Sequence, residues 1–316
     1  MDGNRDDNQN PPHDGDRGPS ESDPGHPGQP SAVLAEILDH KRAEVDRAKA
    51  QRSFASLEAD VAQAEPPRNF FRAVTRDGIG TKKAPADGGE QPPIRTAIIA
   101  EVKRQSPSAG LIRPEYAGEG FKPEAIATKY HAGGAAAISC LTDEHFFGGH
   151  LSFIDRIKSA VPLPVIRKDF IIDQWQLWES RAAGADAVLL IAEALTESEI
   201  VDMLILAQQL QLTVLLEVHS LDNLLRVRPH IGFPHPTYCL LGINNRDLAT
   251  MTTDVSHTLR LVDLVDDPGV VVSESGITTT ADLDRLREVG VSIVLVGEHF
   301  MRQAEPGEAL RSMLES

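Results

Sequence analysis

Cysteine is nearly absent from this chain: its 316 residues contain two, Cys140 and Cys239. A single pair is no disulfide framework, and both lie in apolar runs (AAAISC and YCLLGI), so they read as buried free thiols. No apolar run approaches the ~20 residues that span a bilayer. No apolar segment follows Met1 as it would in a secretory signal, and the acidic amino terminus is unlike an organellar transit peptide. The expected location is therefore the cytoplasm. Positive charge is also scarce, with 31 Lys and Arg against 47 Asp and Glu and a net charge of −16. That excludes a nucleic-acid binder relying on a general basic surface. An anionic ligand has to be met by a few local cations.

Residues 1–30 contain six Pro, five Gly and seven acids but no Val, Ile, Leu or aromatic residue. Such a segment cannot bury enough apolar surface to offset its chain entropy, and the sequence predicts a disordered, solubilising tail. The pattern changes at Ser31. In SAVLAEILDHKRAEVDRAK, Val33, Leu34, Ile37 and Val45 recur at helical spacing behind Ser31 as N-cap. A second helix, SLEADVAQA, stops before Pro66-Pro67, and NFFRAV follows as a short apolar segment. Residues 77–94 are rich in Gly and Pro and read as a loop. The stretch 31–94 is expected to be a helical lead-in packed on the domain formed by residues 95–316.

From Thr96 onward one unit repeats. TAIIAEVK, AAAISCLTD, LPVIRKD, DAVLLIAE, TVLLEVH, YCLLGINNRD, VVVSESG and SIVLVGE are nearly unbroken Val/Ile/Leu runs, as expected of strands buried on both faces of a parallel sheet. Amphipathic stretches separate them, several ending in Gly just before the next run (Gly133-Gly134, Gly184, Gly290), which is helix C-cap chemistry. No G-x-G-x-x-G turn follows any run, as an open dinucleotide-binding sheet would require. Eight strands alternating with helices predict a (β/α)8 TIM barrel.

The runs end in polar groups, which is where barrel active sites are built. Glu101 and Lys103 close the first and Lys168 the third. Glu217 closes the fifth, Asn244 follows in the sixth, and Glu274 and Ser275 close the seventh. Glu101 and Glu217 sit between apolar neighbours, where a buried charge costs several kcal/mol unless it is paired. Two lysines and three glutamates converging on one mouth would neutralise each other and shift each other's pKa values. Asp143, Asp169, Glu193, Asp247 and His219 also follow strand runs but are set aside as solvated loop residues. Gly276 and Gly297, after the seventh and eighth runs, stand where such barrels hold a phosphate on backbone N–H groups. A phosphorylated small molecule is the leading substrate class. No cluster of His and carboxylate ligands suggests a metal.

The motifs IIAEVKRQSPSAG (98–110), LTDEHFFGG (141–149), LPVIRKDFIID (163–173), LLEVHS (215–220), GINNRDL (242–248), SESGI (273–277) and LVGEHFMR (295–302) fall in order, one per strand end. With the lead-in DHKRAEV, this chain resembles the indole-3-glycerol phosphate synthases of tryptophan biosynthesis from about Ser31 onward. One departure is Ala109, where many relatives carry Lys; it removes a cation at the rim. The resemblance implies a monofunctional, cofactor-free, monomeric carboxy-lyase, compatible with weak contacts with other enzymes of that pathway. Its reaction would convert 1-(2-carboxyphenylamino)-1-deoxyribulose 5-phosphate to indole-3-glycerol phosphate, carbon dioxide and water.

The resemblance further implies roles. Lys168 is the general acid for ring closure, with a pKa expected to be lowered by burial or neighbouring cations. Glu217 serves the dehydration. Lys103 grips the carboxylate, and its share of the acid role against Lys168 stays open. Glu101, Asn244 and Glu274 bind ribulose hydroxyls and orient the lysines. Ser106, Arg246 and Ser275 line the polar part, Phe147 and Leu248 hold the aromatic ring, and the N–H groups around Gly276, Gly297 and Glu298 take the phosphate. The alternatives are another phosphate-binding barrel, an isomerase or epimerase, and a non-catalytic binding protein that kept the fold.

Overall fold

The computed structural model describes residues 31–75, 95–247, 250 and 252–315. The predicted tail, the whole of the predicted loop 77–94, and Leu248 lie outside the described residues. Three helices lead in: α1 (Ala32–Gln51), α2 (Phe54–Gln63) and α3 (Phe70–Val74). Ser31 caps α1 by accepting the Leu34 N–H at 3.3 Å, and Asn69 caps α3 by accepting the Arg72 N–H at 2.8 Å.

Strand β1 (Ala97–Val102) is followed by a small antiparallel hairpin, β2 (Gln105–Ser106) and β3 (Gly110–Leu111). The hairpin is absent from the sequence reading, because each of its strands is only two residues long. Seven more barrel strands follow: β4 (Ala137–Leu141), β5 (Val165–Lys168), β6 (Ala187–Ile191), β7 (Thr213–Val218), β8 (Cys239–Asn244), β9 (Val271–Glu274) and β10 (Ile293–Val296). The eight pair in parallel around a closed ring, β1-β10-β9-β8-β7-β6-β5-β4. The helices between them are α4 (Pro123–Gly133), α5 (Phe153–Ala160), α6 (Gln174–Ala182), α7 (Glu197–Gln209), α8 (Leu221–Val227), α9 (Ser256–Leu261) and α10 (Thr280–Glu288). Two more close the chain, α11 (Glu298–Met301) and α12 (Pro306–Glu315). Gly134, Gly184 and Gly290 end their helices at φ +99°, +85° and +85°, a conformation glycine reaches without a Cβ penalty. Both cysteines are free and buried, and burial pushes the Cys239 thiol up to about 12.

Two apolar clusters hold the barrel. The larger lies between strands and surrounding helices. The smaller fills the barrel with Ile99, Ile166, Leu215, Leu240, Val272 and Ile293, and includes Phe70, Phe71 and Val74 of α3. Since Ala97, Ala187 and Ile293 begin their strands, α3 plugs the amino-terminal end of the barrel. The Phe71 N–H donates to Thr213 Oγ1 at 3.3 Å, and Arg68 donates to three carbonyls around α5, at Lys158, Val161 and Leu163. At the opposite end α1 reaches the carboxyl-terminal mouth. Its Lys41, fully buried, lies 2.9 Å from both Asp143 and Asp169 and 2.8 Å from Glu44.

Candidate active site

Strand alternation builds the mouth. Side chains two apart in a strand share a face, so Glu101 and Lys103 emerge together, as do Glu217 and His219. Lys168, Asn244 and Glu274 are the last residues of β5, β8 and β9. They surround a cavity of about 440 Å³.

Two ion-paired centres face this cavity. Lys103 Nζ lies 2.7 Å from Glu101 Oε1. Lys168 Nζ lies 2.6 Å from Glu217 Oε2 and 2.7 Å from Glu274 Oε2. Burial alone would push the Lys168 ammonium down, but Glu217, Glu274 and Glu101 reverse this and hold it well above its ordinary value. The expected lowering is therefore corrected: carboxylates, not cations, gather round Lys168. The two carboxyls on it divide. Burial would raise Glu217, but Lys168 and then His219 hold it down to about 2. Burial and the neighbouring Glu217 charge push Glu274 well above the usual carboxylate range. This centre thus favours the charged forms of Lys168 and Glu217 and the neutral form of Glu274.

Glycines make room for these groups. A Cβ at Gly242 would collide with Glu274 Oε1, and one at Gly297 would collide with Glu101 Oε1 and stand 3.0 Å from its Cβ. Gly297, read from sequence as a phosphate-loop glycine, therefore also seats a carboxylate. Ser275 and Gly276 turn the chain after β9 at φ +68° and +78°. Buried Asn245 holds this turn, donating to Ser273 Oγ at 3.0 Å and to the Ser275 carbonyl at 3.1 Å. Its Oδ1 accepts from the Thr258 N–H and hydroxyl at 3.0 and 2.8 Å. At the rim, Arg246 donates to Ser108 at 3.3 Å and stands 3.8 Å from Glu298. Ser106 accepts the Ala109 N–H at 3.1 Å, which shapes the hairpin turn.

Every predicted site residue among the described ones lines this one cavity: Glu101, Lys103, Ser106, Phe147, Lys168, Glu217, Asn244, Arg246, Glu274, Ser275, Gly276, Gly297 and Glu298. Of the apolar wall, the sequence points to Phe147 but not to its neighbours. Phe170 stands 6.1 Å from Phe147, ring centre to ring centre, and Leu189, Ile191 and the α1 residues Leu34 and Ile37 also line the cavity. His219, set aside on sequence, also faces the cavity. Its spacing of two from Glu217 was the signal that could have found it. Asp143 and Asp169 are not solvated either; both are buried in the Lys41 cluster. Among the described residues, no three His, Cys, Asp or Glu side chains gather as a metal site would.

The family model for indole-3-glycerol phosphate synthase matches residues 34–313. The chain belongs to the indole-3-glycerol phosphate synthase family. The indole-3-glycerol phosphate synthase of Rhodospirillum rubrum is 43% identical over 284 residues, covering 90% of this chain and 99% of that protein. That of Bacteroides thetaiotaomicron is 40% identical over 284 residues, covering 90% and 98%. Among solved structures, a 3-hexulose-6-phosphate synthase superposes with a TM-score of 0.52 at 16% identity, over 69% of this chain and 99% of that one. The orotidine 5′-phosphate decarboxylase of Pyrococcus horikoshii superposes with a TM-score of 0.50 at 13% identity, over 69% and 97%. At such identities these two share the barrel alone. The family match takes in the lead-in helices from Leu34 onward.

Proposed function

We propose that this cavity performs the indole-3-glycerol phosphate synthase reaction on 1-(2-carboxyphenylamino)-1-deoxyribulose 5-phosphate. Lys168, buried between two carboxyls, carries the reading. In ring closure the aryl carbon bearing the carboxylate attacks the C2′ ketone, and the ketone oxygen becomes an alkoxide. The Lys168 ammonium stabilises that charge in a water-poor site and gives it a proton. A raised pKa does not prevent this, because a tertiary alkoxide is more basic than an amine. Carbon dioxide leaves, which restores the benzene ring without releasing a proton. Loss of the hydroxyl as water and of a proton from C1′ then aromatises the new ring, and Glu217 serves this step.

Lys103, held by Glu101, pairs with the substrate carboxylate. Glu101, Asn244 and Glu274 take the ribulose hydroxyls, with Ser106, Arg246 and Ser275 on the polar side. Phe147, with Phe170 beside it, covers the aromatic ring. Backbone N–H groups around Gly276, Gly297 and Glu298 hold the phosphate. Supplying this substrate to the purified chain should produce indole absorbance and fluorescence. An unchanged spectrum, with the protein folded, would refute the reading.

A further inference from the structure

Written with its carboxylate ionised, the proposed reaction consumes one proton per turnover. The ketone oxygen takes one and the departing hydroxyl takes another, while aromatisation returns one. A water-poor site therefore needs a resident donor that refills between turnovers.

His219 stands where such a donor would be. Its Nε2 lies 3.3 Å from Glu217 Oε1, on the side of that carboxylate away from Lys168, which pairs with Oε2. Its Nδ1 lies 3.2 Å from Glu193 Oε2. Glu193 Oε1 also accepts the His219 backbone N–H and the Asn223 amide, each at 2.9 Å, so the glutamate is fixed in place. The ring faces the cavity yet its side chain is only 9% exposed.

We propose that His219 is a positioning residue that acts through Glu217 and supplies its proton. The proton leaves Nε2 for Glu217 Oε1 and passes from Glu217 to the departing hydroxyl, while the C1′ proton goes to the Lys168 amine left by ring closure. Glu193 keeps the other proton on Nδ1, and a proton from solvent entering the cavity after product release refills Nε2. This rests on the reading of Glu217 given above. The tautomer follows from charge: Glu217 is already neutralised by Lys168, so the proton facing Glu193 is the one retained.

The surroundings favour the charged imidazole. Burial lowers its pKa, but Glu193 and Glu217 outweigh burial and the more distant Lys168, and the net shift is upward. Among the described residues, His257 of α9 also meets His219, at its backbone, and burial and then the Arg260 cation hold the His257 imidazole below its ordinary value. Of the two imidazoles, His219 is the proton store.

The test is the pH dependence of kcat for the full chain and its His219→Gln, Glu217→Gln and doubly substituted forms, with the carboxyphenylamino-deoxyribulose phosphate as substrate. In the wild type kcat should fall as pH rises through the His219 ionisation. His219→Gln should lose that limb and lower kcat on the order of ten- to a hundredfold, below the full worth of acid–base catalysis, with KM nearly unchanged. The double substitution should be no slower than Glu217→Gln alone. An unchanged limb, or losses that multiply, would overturn the proposal. Full activity of Glu217→Gln would instead sink the reading of Glu217. Nitrogen NMR of the unmodified protein gives a measurement independent of any variant's folding: the neutral ring should carry its proton on Nδ1, and a proton on Nε2 would contradict the relay.

Discussion

Lys41, on a helix outside the barrel, lies 2.9 Å from Asp169, the residue that follows Lys168. Asp169 also accepts from Thr142 at 2.7 Å and from Arg167 at 3.0 Å. Asp143, the other buried carboxylate on Lys41, accepts the Phe146 and Phe147 N–H groups at 2.7 and 3.2 Å. One buried ammonium thus ties the lead-in helix to the strand end bearing Lys168 and to the loop bearing Phe147.

Removing that ammonium should be costly. Lys41→Met leaves two buried carboxylates without their shared cation, which costs about 3–5 kcal/mol where one member of a buried ion pair is deleted. Urea unfolding should show this as a large drop in midpoint. A midpoint close to that of the wild type would mean that Asp143 and Asp169 find other partners.

Gly297→Ala separates the seating of Glu101 from the proposed phosphate contact. The added methyl has to displace Glu101, and with it the Lys103 pair, while leaving the backbone N–H groups in place. A misplacement of about 1 Å in such a group can cost up to about a hundredfold in rate. We expect kcat to fall with inorganic phosphate still inhibiting at its wild-type concentration. Weaker phosphate inhibition with unchanged kcat would assign Gly297 to the phosphate alone.

Glu274 and Glu217 set opposite pH dependences of stability. Glu217 is held below its unfolded value of 4.5, so its contribution is present above that pH and is lost as pH falls toward about 2. Glu274 is held above its unfolded value of 4.5, so its contribution is full below that pH and declines as pH rises toward the folded value. Glu274→Gln, which copies the protonated form, should therefore gain stability relative to the wild type between pH 4 and pH 8 while losing activity. Thermal midpoints across that range check it; a midpoint deficit that widens with pH would contradict the division of the pair.

The barrel was legible because its strands are buried on both faces and so read as continuous apolar runs, each closed by a charge. Glu101 and Glu217 stood out because an unpaired carboxylate is costly in such a run. Their partners did not. Lys41 meets Asp143 and Asp169 from more than a hundred residues away, and no local pattern marks a lysine inside an otherwise ordinary amphipathic helix. The same blindness set His219 aside: its environment is Glu193 on another strand end. The Lys168 pKa went the wrong way because its sign depends on how many carboxylates the closed ring delivers to one nitrogen, a three-dimensional count. Gly242 and Asn245 act on Glu274 and on the Ser275 turn only after β8 and β9 are paired.

The central claim is that the Lys168 ammonium delivers the proton of ring closure. Its direct test is kcat and substrate affinity of Lys168→Ala, with the carboxyphenylamino-deoxyribulose phosphate as substrate. The account predicts kcat lowered by about 10²- to 10⁴-fold, the usual worth of a positioned acid, while the substrate still binds. Turnover close to that of the wild type would contradict it.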